Sequence, residues 1–423
     1  MKIGLEVHVS LPTKTKLFCS CSTAEAEPNS SVCPVCMGFP GSKPMLNKEA
    51  LNIAVSIANA LRCKISDRIS FVRKVYFYPD LPKSYQITQI YEPVGSEGVV
   101  DCYDGNAVRI RRIQLEEDPA KVIRGDDYTL LDFNRSGIPL VEIVTEPDIK
   151  SEEELRAFVT ELTSILYYLG IDIEGEIKTD LNISLAESRV EVKNITGIRN
   201  MIDAARYEIQ RQGEMLKKGI AIPVETRSYV EAKKETVATR EKETDEEYGF
   251  ISEPDLTSYD TTSIQRRAPV YASKIAEQYA KEYGVDKKLM MELIMYDRQA
   301  LGLIDSAKGK HDMKLILNGI ELIKKYKRGM TPDSFSRLLE ALKNSQYIDE
   351  DLLSRIEKGE SVERGTIDRE EIAKEVRGLL TESIKVDYKK NPKAINFIIG
   401  KITAKYRISP KEVAEIVKRE IEG

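Results

Sequence analysis

The sequence has no tryptophan and only two histidines, His8 and His311, among its 423 residues. At most two groups can therefore supply an imidazole, which leaves little room for a serine–histidine–aspartate hydrolase. No apolar run approaches the ~20 residues that a membrane-spanning helix needs. The N-terminus reaches a charge at Glu6 and lacks a long apolar segment, so we expect no secretory signal, no membrane partner and a cytoplasmic location.

Common nucleotide-binding motifs are also missing. The chain contains neither the P-loop pattern G-x-x-x-x-G-K-[ST] nor the glycine-rich pattern G-x-G-x-x-G, and it lacks the G-x-S-x-G sequence of a hydrolase nucleophile. Any nucleotide chemistry must therefore use a less common fold. A content of 41% hydrophobic and 31% charged residues is typical of a globular protein, and the length predicts two to four domains.

The net charge of −5 hides an asymmetry along the chain. Residues 1–262 carry a net charge of −11, whereas residues 263–423 carry +6. An acidic first part joined to a basic second part indicates a division of labour. Solvated, charged helix faces would give the same count, so the charge alone leaves both interpretations open.

Four of the six cysteines, Cys19, Cys21, Cys33 and Cys36, form the pattern C-x-C-x11-C-P-V-C. Two close pairs separated by about a dozen residues can supply four thiolates to a tetrahedral Zn²⁺. Gly38 follows the second pair and lets backbone amides turn toward a thiolate. The pattern therefore predicts a structural zinc knuckle at residues 19–36, with buried free thiols and redox chemistry as the alternatives.

Polar residues interrupt or end several strands that are otherwise aliphatic. Residues 3–9 alternate between aliphatic and polar side chains, which is typical of a strand with one buried face. A carboxylate inside a core strand costs several kcal/mol unless it is paired or binds a cation. Convergence on one divalent ion is one interpretation, and solvated edge positions are the other. The candidates are Glu6, His8, Glu116, Glu117 and Glu142.

The segment 73–86, RKVYFYPDLPKSYQ, combines aromatic, cationic and amide side chains. Aromatic rings can stack on a base, and lysine or arginine can hold phosphates. A packed, tyrosine-rich loop is an equally good interpretation of the same residues.

Several blocks of sequence resemble the B subunits of aspartyl/glutamyl-tRNA amidotransferases and the related archaeal E subunits (the GatB/GatE family). The resemblance covers residues 1–256 and continues more weakly in a tail similar to YqeY proteins. No segment is long enough for the inserted domain of an E subunit, so the B type is favoured. The blocks include IGLEVHVSLPTKTKLFCSC, EPNSSVCPVCMGFPG, KVYFYPDLPKSYQITQ, IQLEEDPAK, DFNRSGIPLVEIVTEPDI and VEVKNITGI.

The resemblance implies a ligase reaction on mischarged tRNA. The B subunit uses ATP and Mg²⁺ to phosphorylate the side-chain carboxylate of Glu-tRNA(Gln), Asp-tRNA(Asn) or both. Ammonia from the amidase, which is the A subunit of the complex, then converts the acyl phosphate to the amide. A small C subunit clasps the other two. A cognate non-discriminating synthetase is a further partner that this resemblance allows.

The resemblance also assigns site residues. The family's magnesium site maps onto Glu6, His8, Glu142 and either Glu116 or Glu117, and the catalytic set is Glu6, His8, Glu117 and Glu142. Gln114 and Pro119 replace the histidine and alanine that are usual in the family. The nucleotide pocket is assigned to Lys74, Tyr76, Tyr78, Lys83, Tyr85 and Gln86. Further matching residues, expected along the same cavity or tunnel, are Asp180, Asn182, Lys193 and Asn194.

The expected fold is α+β. Residues 1–262 should form a cradle around a mixed β-sheet, similar to glutamine synthetase, and residues 263–328 an all-helical domain. Residues 329–423 should form a helical, YqeY-like tail. Two other functions remain open: a non-catalytic, zinc-containing tRNA-binding protein, and a free-standing ATP-dependent ligase.

Overall fold

A computed structural model describes residues 1–171, 177–241, 249–296, 298–326, 328–344, 348–360, 369–381, 384, 388, 391–406 and 410–422. The chain divides into two compact units, Met1–Tyr279 and Ala280–Gly423. Among the helices of these residues, none combines the length and the apolar character that crossing a membrane requires.

The first unit is built on a nine-stranded mixed sheet in the order β14-β13-β12-β11-β1-β10-β7-β6-β2. Neighbouring strands pair antiparallel, except for the parallel pair β12–β13. The predicted mixed sheet is thereby confirmed. The strands are β1 (Lys2–Ser10), β2 (Lys64–Ile65), β3 (Arg68–Ile69), β4 (Val72–Val75), β5 (Tyr85–Thr88), β6 (Gly95–Asp101), β7 (Ala107–Glu117), β8 (Lys121–Arg124), β9 (Thr129–Asp132), β10 (Pro139–Thr145), β11 (Lys178–Ser184), β12 (Val190–Thr196), β13 (Glu225–Val230), β14 (Glu235–Glu241), β15 (Gly249–Ser252) and β16 (Tyr259–Asp260).

The alternating sequence of β1 gives the sheet one apolar face. Ile3, Leu5, Val7 and Val9 are buried in the core of the unit. Three helices, α1 (Lys48–Ala60), α2 (Glu152–Tyr168) and α3 (Ile198–Lys217), pack against strands of this sheet. The aliphatic and polar residues of β1 therefore lie on opposite faces, as the alternation predicts.

Side-chain caps fix where two of these helices begin. The Asn47 side chain accepts hydrogen bonds from the first amides of α1, and Ser151 accepts one from Glu154 in α2. Both caps are confirmed. The helix α3 begins at Ile198, four residues before the predicted start, after Gly197 at φ +86°. It ends before Gly219 at φ +70°, the predicted C-terminal glycine.

Two shorter assemblies lie beside the large sheet. The strands β15, β4 and β5 form a three-stranded sheet that includes most of the tyrosine-rich segment, and β5 contacts β7. The strands β8 and β9 form a separate hairpin, and β3 pairs with β16.

Helices dominate the second unit, as predicted. The helix predicted for 287–300 is wrong at its end, because two elements, α5 and α6, occupy 287–307. Thr331 caps α8 and Pro332 takes its first position, as expected. After α4 (Ala272–Tyr283), the helices are α5 (Lys287–Tyr296), α6 (Arg298–Ala307), α7 (Met313–Tyr326), α8 (Pro332–Lys343), α9 (Glu350–Glu357), α10 (Arg369–Leu379), α11 (Asn396–Tyr406) and α12 (Pro410–Glu422).

A separate apolar cluster forms near the C-terminus, between α10, α11 and α12. Its central residues include Ile372, Val376, Ile402, Val413 and Val417. Its amphipathic helices agree with the predicted helical tail. The likeness to YqeY, the likeness to glutamine synthetase and the domain boundaries after residues 262 and 328 stay predictions.

Candidate active site

The register of the central strands assembles a polar row on the second face of the sheet. His8 lies opposite Glu142 on β10, and Glu6 lies opposite Asp180 on β11. Glu142 in turn lies opposite Gln114 on β7. Because alternate residues of a strand share a face, these five side chains are on the side away from Leu5 and Val7. The structure therefore brings the acids of three strands together.

Glu116 belongs to this row. It is two residues from Gln114 on β7, so the two side chains share a face. The Glu116 carboxylate accepts hydrogen bonds from Gln86 Nε2 at 2.7 Å and Thr88 Oγ1 at 3.0 Å. Gln86 and Thr88 are both on β5, so this strand connects the tyrosine-rich segment to the polar row. Thr88 was not a predicted site residue.

Glu117 has different partners at the end of β7. Its carboxylate oxygens are 2.5 and 2.6 Å from Lys83 Nζ, and one of them accepts a hydrogen bond from the Ile87 amide at 2.8 Å. Both side chains of the Lys83–Glu117 ion pair are nearly buried. Lys83 and Glu117, predicted for two different functions, are therefore direct partners.

Charge in the polar row is poorly compensated. Burial raises the pKa of Glu142 to about 7, and the charge of Glu116 adds to this shift. Burial alone would lower the pKa of His8, but the surrounding carboxylates, Glu142 first, outweigh it and raise it. In the described part of the chain, Glu116 and Glu142 form no ion pair, and their hydrogen bonds come from neutral groups. Carboxylate and imidazole donors with surplus negative charge fit a divalent cation.

The unusual Gln114 contributes directly to this environment. Its Nε2 donates a short hydrogen bond to Glu142 and a second one to Thr88 at 3.2 Å. Its buried Oε1 has no hydrogen-bond partner among the described residues. An unpaired buried oxygen costs free energy, so this atom is a further potential ligand or water acceptor in the row.

A second acidic group lies on the β11 side of Glu6. One carboxylate oxygen from each of Glu6, Asp180 and Glu191 lies within 4.8 Å of the others. Lys193 Nζ is 2.9 Å from Asp180 and 3.2 Å from Glu191, so this group already has a cation. Sequence reasoning missed Glu191, although an acid between Val190 and Val192 gives the same signal as Glu142.

The remaining predicted cavity residues lie at the edge of that group. Asn182 Nδ2 donates to Glu6 Oε1 at 3.2 Å, and Asn194 Nδ2 donates to Ser228 Oγ at 3.0 Å. His8, Glu116 and Glu142 share the face with Glu6. Among the described residues, however, only the two groups with Glu6 or the cysteines bring three ligand atoms within 4.8 Å.

The four cysteines converge. One Sγ atom from each of Cys19, Cys21, Cys33 and Cys36 lies within 4.8 Å of the other three. A hydrogen bond from the Cys19 thiol, followed by smaller effects that include the nearby Lys16 ammonium, holds the pKa of Cys36 well below its usual range. Four thiols at this separation, one of them readily ionised, fit a tetrahedral zinc site.

The predicted nucleotide residues fall into two groups. Tyr76 donates from its hydroxyl to Gln86 Oε1 at 3.3 Å, which places it near Glu116. Lys74 lies opposite Gln86 in the β4–β5 pair. Tyr85 instead lies under the Arg73 guanidinium, at 4.5 Å from its ring centroid. The Tyr78 side chain is half exposed.

A cation-binding acidic row beside a loop of aromatic and cationic residues is the site of an enzyme, because a pure binding surface does not require buried, uncompensated carboxylates. A family model for the GatB/GatE catalytic domain matches residues 1–266. The chain therefore belongs to the GatB/GatE family.

Curated relatives agree along the whole chain, and each is the B subunit of an aspartyl/glutamyl-tRNA(Asn/Gln) amidotransferase. The chain is 36% identical to that of Sulfolobus acidocaldarius over 472 positions, covering 100% of this chain and 99% of the relative. The B subunit of Methanopyrus kandleri is 36% identical over 450 positions, with 96% and 95% covered. That of Methanospirillum hungatei is 45% identical over 300 positions, with 67% and 63% covered.

Proposed function

We propose that this chain is the kinase and transamidase subunit of a tRNA-dependent amidotransferase. It phosphorylates the side-chain carboxylate of Glu-tRNA(Gln), Asp-tRNA(Asn) or both with ATP, and ammonia then displaces the phosphate to give the amide. The observation that carries the proposal is the buried row of His8, Glu116 and Glu142, whose negative charge calls for a cation beside the Lys83 loop.

The residues that would hold Mg²⁺ are His8, Glu116 and Glu142, with Glu6 at the edge of the row. Of the two neighbouring acids on β7, the geometry favours Glu116, because Glu117 is already paired with Lys83. A bound Mg²⁺ would supply positive charge to the phosphates of ATP and to the transferred phosphoryl group.

The chain need not provide a strong base for the first step. A substrate carboxylate with a pKa near 4 is already ionised at neutral pH, so it can attack a phosphoryl group directly. The residues of the site then have to position the carboxylate and the nucleotide and to exclude water. Exclusion of water matters twice, because an acyl phosphate that meets water is hydrolysed. The buried state of Lys83 and Glu142 suits this requirement.

The tyrosine-rich loop is the proposed nucleotide site. Lys74, Tyr76, Lys83 and Gln86 surround the Glu116 end of the row. Lysine can hold phosphates, and an aromatic ring can stack on the base. We keep Tyr78 and Tyr85 as candidates on the outer side of the same loop. The knuckle at residues 19–36 is assigned a structural Zn²⁺.

Partners follow from the proposed reaction. Ammonia must come from a glutamine-hydrolysing amidase, the A subunit, with the small C subunit joining the complex. A non-discriminating synthetase would supply mischarged tRNA in the cytoplasm. The basic second unit is the proposed contact to tRNA(Gln) or tRNA(Asn). Binding through phosphates should weaken as salt concentration rises.

The decisive test is Glu142→Gln in the assembled three-subunit complex, with mischarged tRNA and ATP. We expect amidation to fall on the order of a hundredfold or more, as for other lost electrostatic groups. Glu153→Gln on the exposed side of α2 is the matched control and should retain activity. Undiminished amidation by Glu142→Gln would contradict the proposed site and favour a non-catalytic tRNA-binding protein. Amidation with ammonia by the isolated chain would instead favour a free-standing ligase.

A further inference from the structure

The zinc knuckle lies directly against the lysine of the buried ion pair. Gly38, two residues after Cys36, has φ +69° and approaches Lys83 very closely. A Cβ atom on Gly38 would lie 2.5 Å from Lys83 Cγ and 3.1 Å from Lys83 Cα and Cβ. Glycine is therefore required here both for the backbone conformation and for the contact.

Hydrogen bonds within the knuckle fix the position of Gly38. The Met37 amide donates to Cys33 O at 3.0 Å, and the Gly38 amide donates to Val35 O at 3.1 Å. The Cys33 amide also donates to Cys36 Sγ at 3.2 Å. The turn that carries Gly38 is thus built from the same two cysteines that would bind the metal, so a metal bound there would stiffen it.

A second connection reaches the other end of the ion pair. Lys16 is fully buried, and its Nζ lies 3.6 Å from Cys36 Sγ. A Cβ on Gly137 would lie 3.4 Å from Lys16 Cδ and 3.7 Å from Cys36 Cβ. The Gly137 amide donates to Asp118 O at 2.8 Å, and Asp118 directly follows Glu117. The knuckle therefore supports both partners of the Lys83–Glu117 pair.

The ion pair itself depends on accurate placement. Its two side chains are 6% and 5% exposed, and a buried pair is favourable only when its geometry is good. Lys83 lies in a tight loop, since the Leu81 amide donates to Tyr78 O and the next residue, Ser84, has φ +59°. A left-handed serine is a strained conformation that needs support from its surroundings.

We propose that the zinc knuckle is a positioning element for Lys83. It holds the Lys83–Glu117 pair in place through Gly38 on one side and through Lys16 and Gly137 on the other. Gly38 is then a positioning residue, and occupancy of the cysteine site is coupled to the order of the Lys83 loop. The positioning stands on geometry alone, whereas its effect on ATP use rests on the function proposed above.

Two glycine variants test the contact. Gly38→Ala would push a methyl group onto Lys83. Gly41→Ala is the matched control, because Gly41 has φ +82° and nothing within 4 Å of its Cβ position. Both variants introduce alanine into a left-handed conformation, so their backbone cost is similar. Only the steric effect on Lys83 differs.

The first readout is independent of activity. The full-length protein is treated with a small acylating reagent, and mass spectrometry follows the labelling rate of Lys83, with the exposed Lys150 as an internal reference. We expect Gly38→Ala to raise the Lys83 rate on the order of tenfold through local opening, and Gly41→Ala to leave it within about twofold. Removal of zinc from the wild-type protein by a chelator should raise it as well.

The second readout is the activity of the assembled three-subunit complex. Gly38→Ala should lower kcat/KM for ATP by on the order of tenfold to a hundredfold, because the ion pair is displaced, and Gly41→Ala should not. Equal Lys83 labelling in both variants and the wild type would overturn the inference, whatever the activity. If Gly38→Ala does not retain zinc, unchanged labelling after chelation of the wild type would overturn it. A wild-type complex that uses no ATP would contradict the proposed function but leave the labelling test valid.

Discussion

Two buried carboxylates of the first unit are treated in opposite ways. Glu208 on α3 is fully buried and accepts hydrogen bonds from Arg211 at 2.9 Å and Gln212 at 3.1 Å, with Arg227 at 3.0 Å. Glu142 on β10 is also buried, but it receives its hydrogen bond from the neutral amide of Gln114. One acid is supplied with cations by the chain itself, and the other is not.

The pKa values of these two acids shift in opposite directions. Burial alone would raise the pKa of Glu208, but its hydrogen bonds from Arg211, Thr236 and Gln212 outweigh burial and lower it. Burial raises the pKa of Glu142 to about 7. The comparison indicates that a structural acid comes with its counterions, whereas an acid that binds a cofactor leaves its charge for the ligand. The same substitution, glutamate to glutamine, should therefore have opposite effects at the two positions.

The largest effect is expected for Glu208→Gln. Loss of this charge leaves Arg211 and Arg227 partly uncompensated in a buried network, which should lower the free energy of unfolding by about 3–5 kcal/mol. Urea unfolding of the full-length protein measures the change. Glu214→Gln, on the exposed face of the same helix, is the control and should be nearly neutral. A Glu208→Gln protein as stable as the control would break the comparison.

The pH dependence of that difference has a definite sign. Because the pKa of Glu208 is lower in the folded than in the unfolded state, its contribution is fully present above the unfolded value of about 4.3. It is lost as the pH falls through the folded value. The stability gap between wild type and Glu208→Gln should thus be full at neutral pH and shrink in acid; a gap that grows in acid would contradict this.

Mg²⁺ should give Glu142 what Glu208 already has. With free Mg²⁺ at 100 times its dissociation constant, the wild-type protein should gain about 2.7 kcal/mol of unfolding free energy. Glu142→Gln should lose most of this gain, and Glu153→Gln should keep it. Thermal unfolding at increasing Mg²⁺ concentration measures the three proteins. A full gain in Glu142→Gln would place the cation elsewhere, for example at the Glu6, Asp180 and Glu191 group.

Without Mg²⁺, Glu142→Gln should raise stability. A neutral amide removes the cost of an ionised, buried carboxylate next to Glu116, and one pKa unit corresponds to about 1.4 kcal/mol. We expect a gain of about 1–2 kcal/mol in the unfolding free energy at pH 8, measured in the presence of a Mg²⁺ chelator that spares the cysteine site. A loss of stability would show that Glu142 has a structural role like that of Glu208.

The sequence allowed one of these acids to be singled out but not the other. Glu142 interrupts a run of aliphatic residues, and an acid in such a strand is conspicuous. Glu208 lies in an amphipathic helix, where an acid normally marks the solvated face. Its burial depends on β13 and β14, which follow α3 in the chain and bring Arg227 and Thr236 over it. Contacts of that kind are not encoded in local periodicity.

The choice between Glu116 and Glu117 shows a similar limit. Alternation tells that the two side chains point to opposite faces, but it does not tell which face is polar at the end of a strand. The pairing of Glu142 with Gln114 settles the parity in favour of Glu116. The convergence of the four cysteines, by contrast, was predictable from the sequence, because two close cysteine pairs need no tertiary information to identify them.

The smallest effect is expected where the geometry is good but the pair is exposed. Arg111 and Glu146 form a two-pronged ion pair, with both N–O distances at 2.9 Å, similar to that of Arg211 and Glu208. The Arg111 side chain is 51% exposed, so water competes for both charges. Arg111→Gln should lower the unfolding free energy by less than about 1 kcal/mol, and this loss should vanish at high salt. The Glu208→Gln loss should persist at high salt, because solvent ions do not reach a buried network; equal salt sensitivity would mean that geometry, rather than burial, decides what an ion pair contributes.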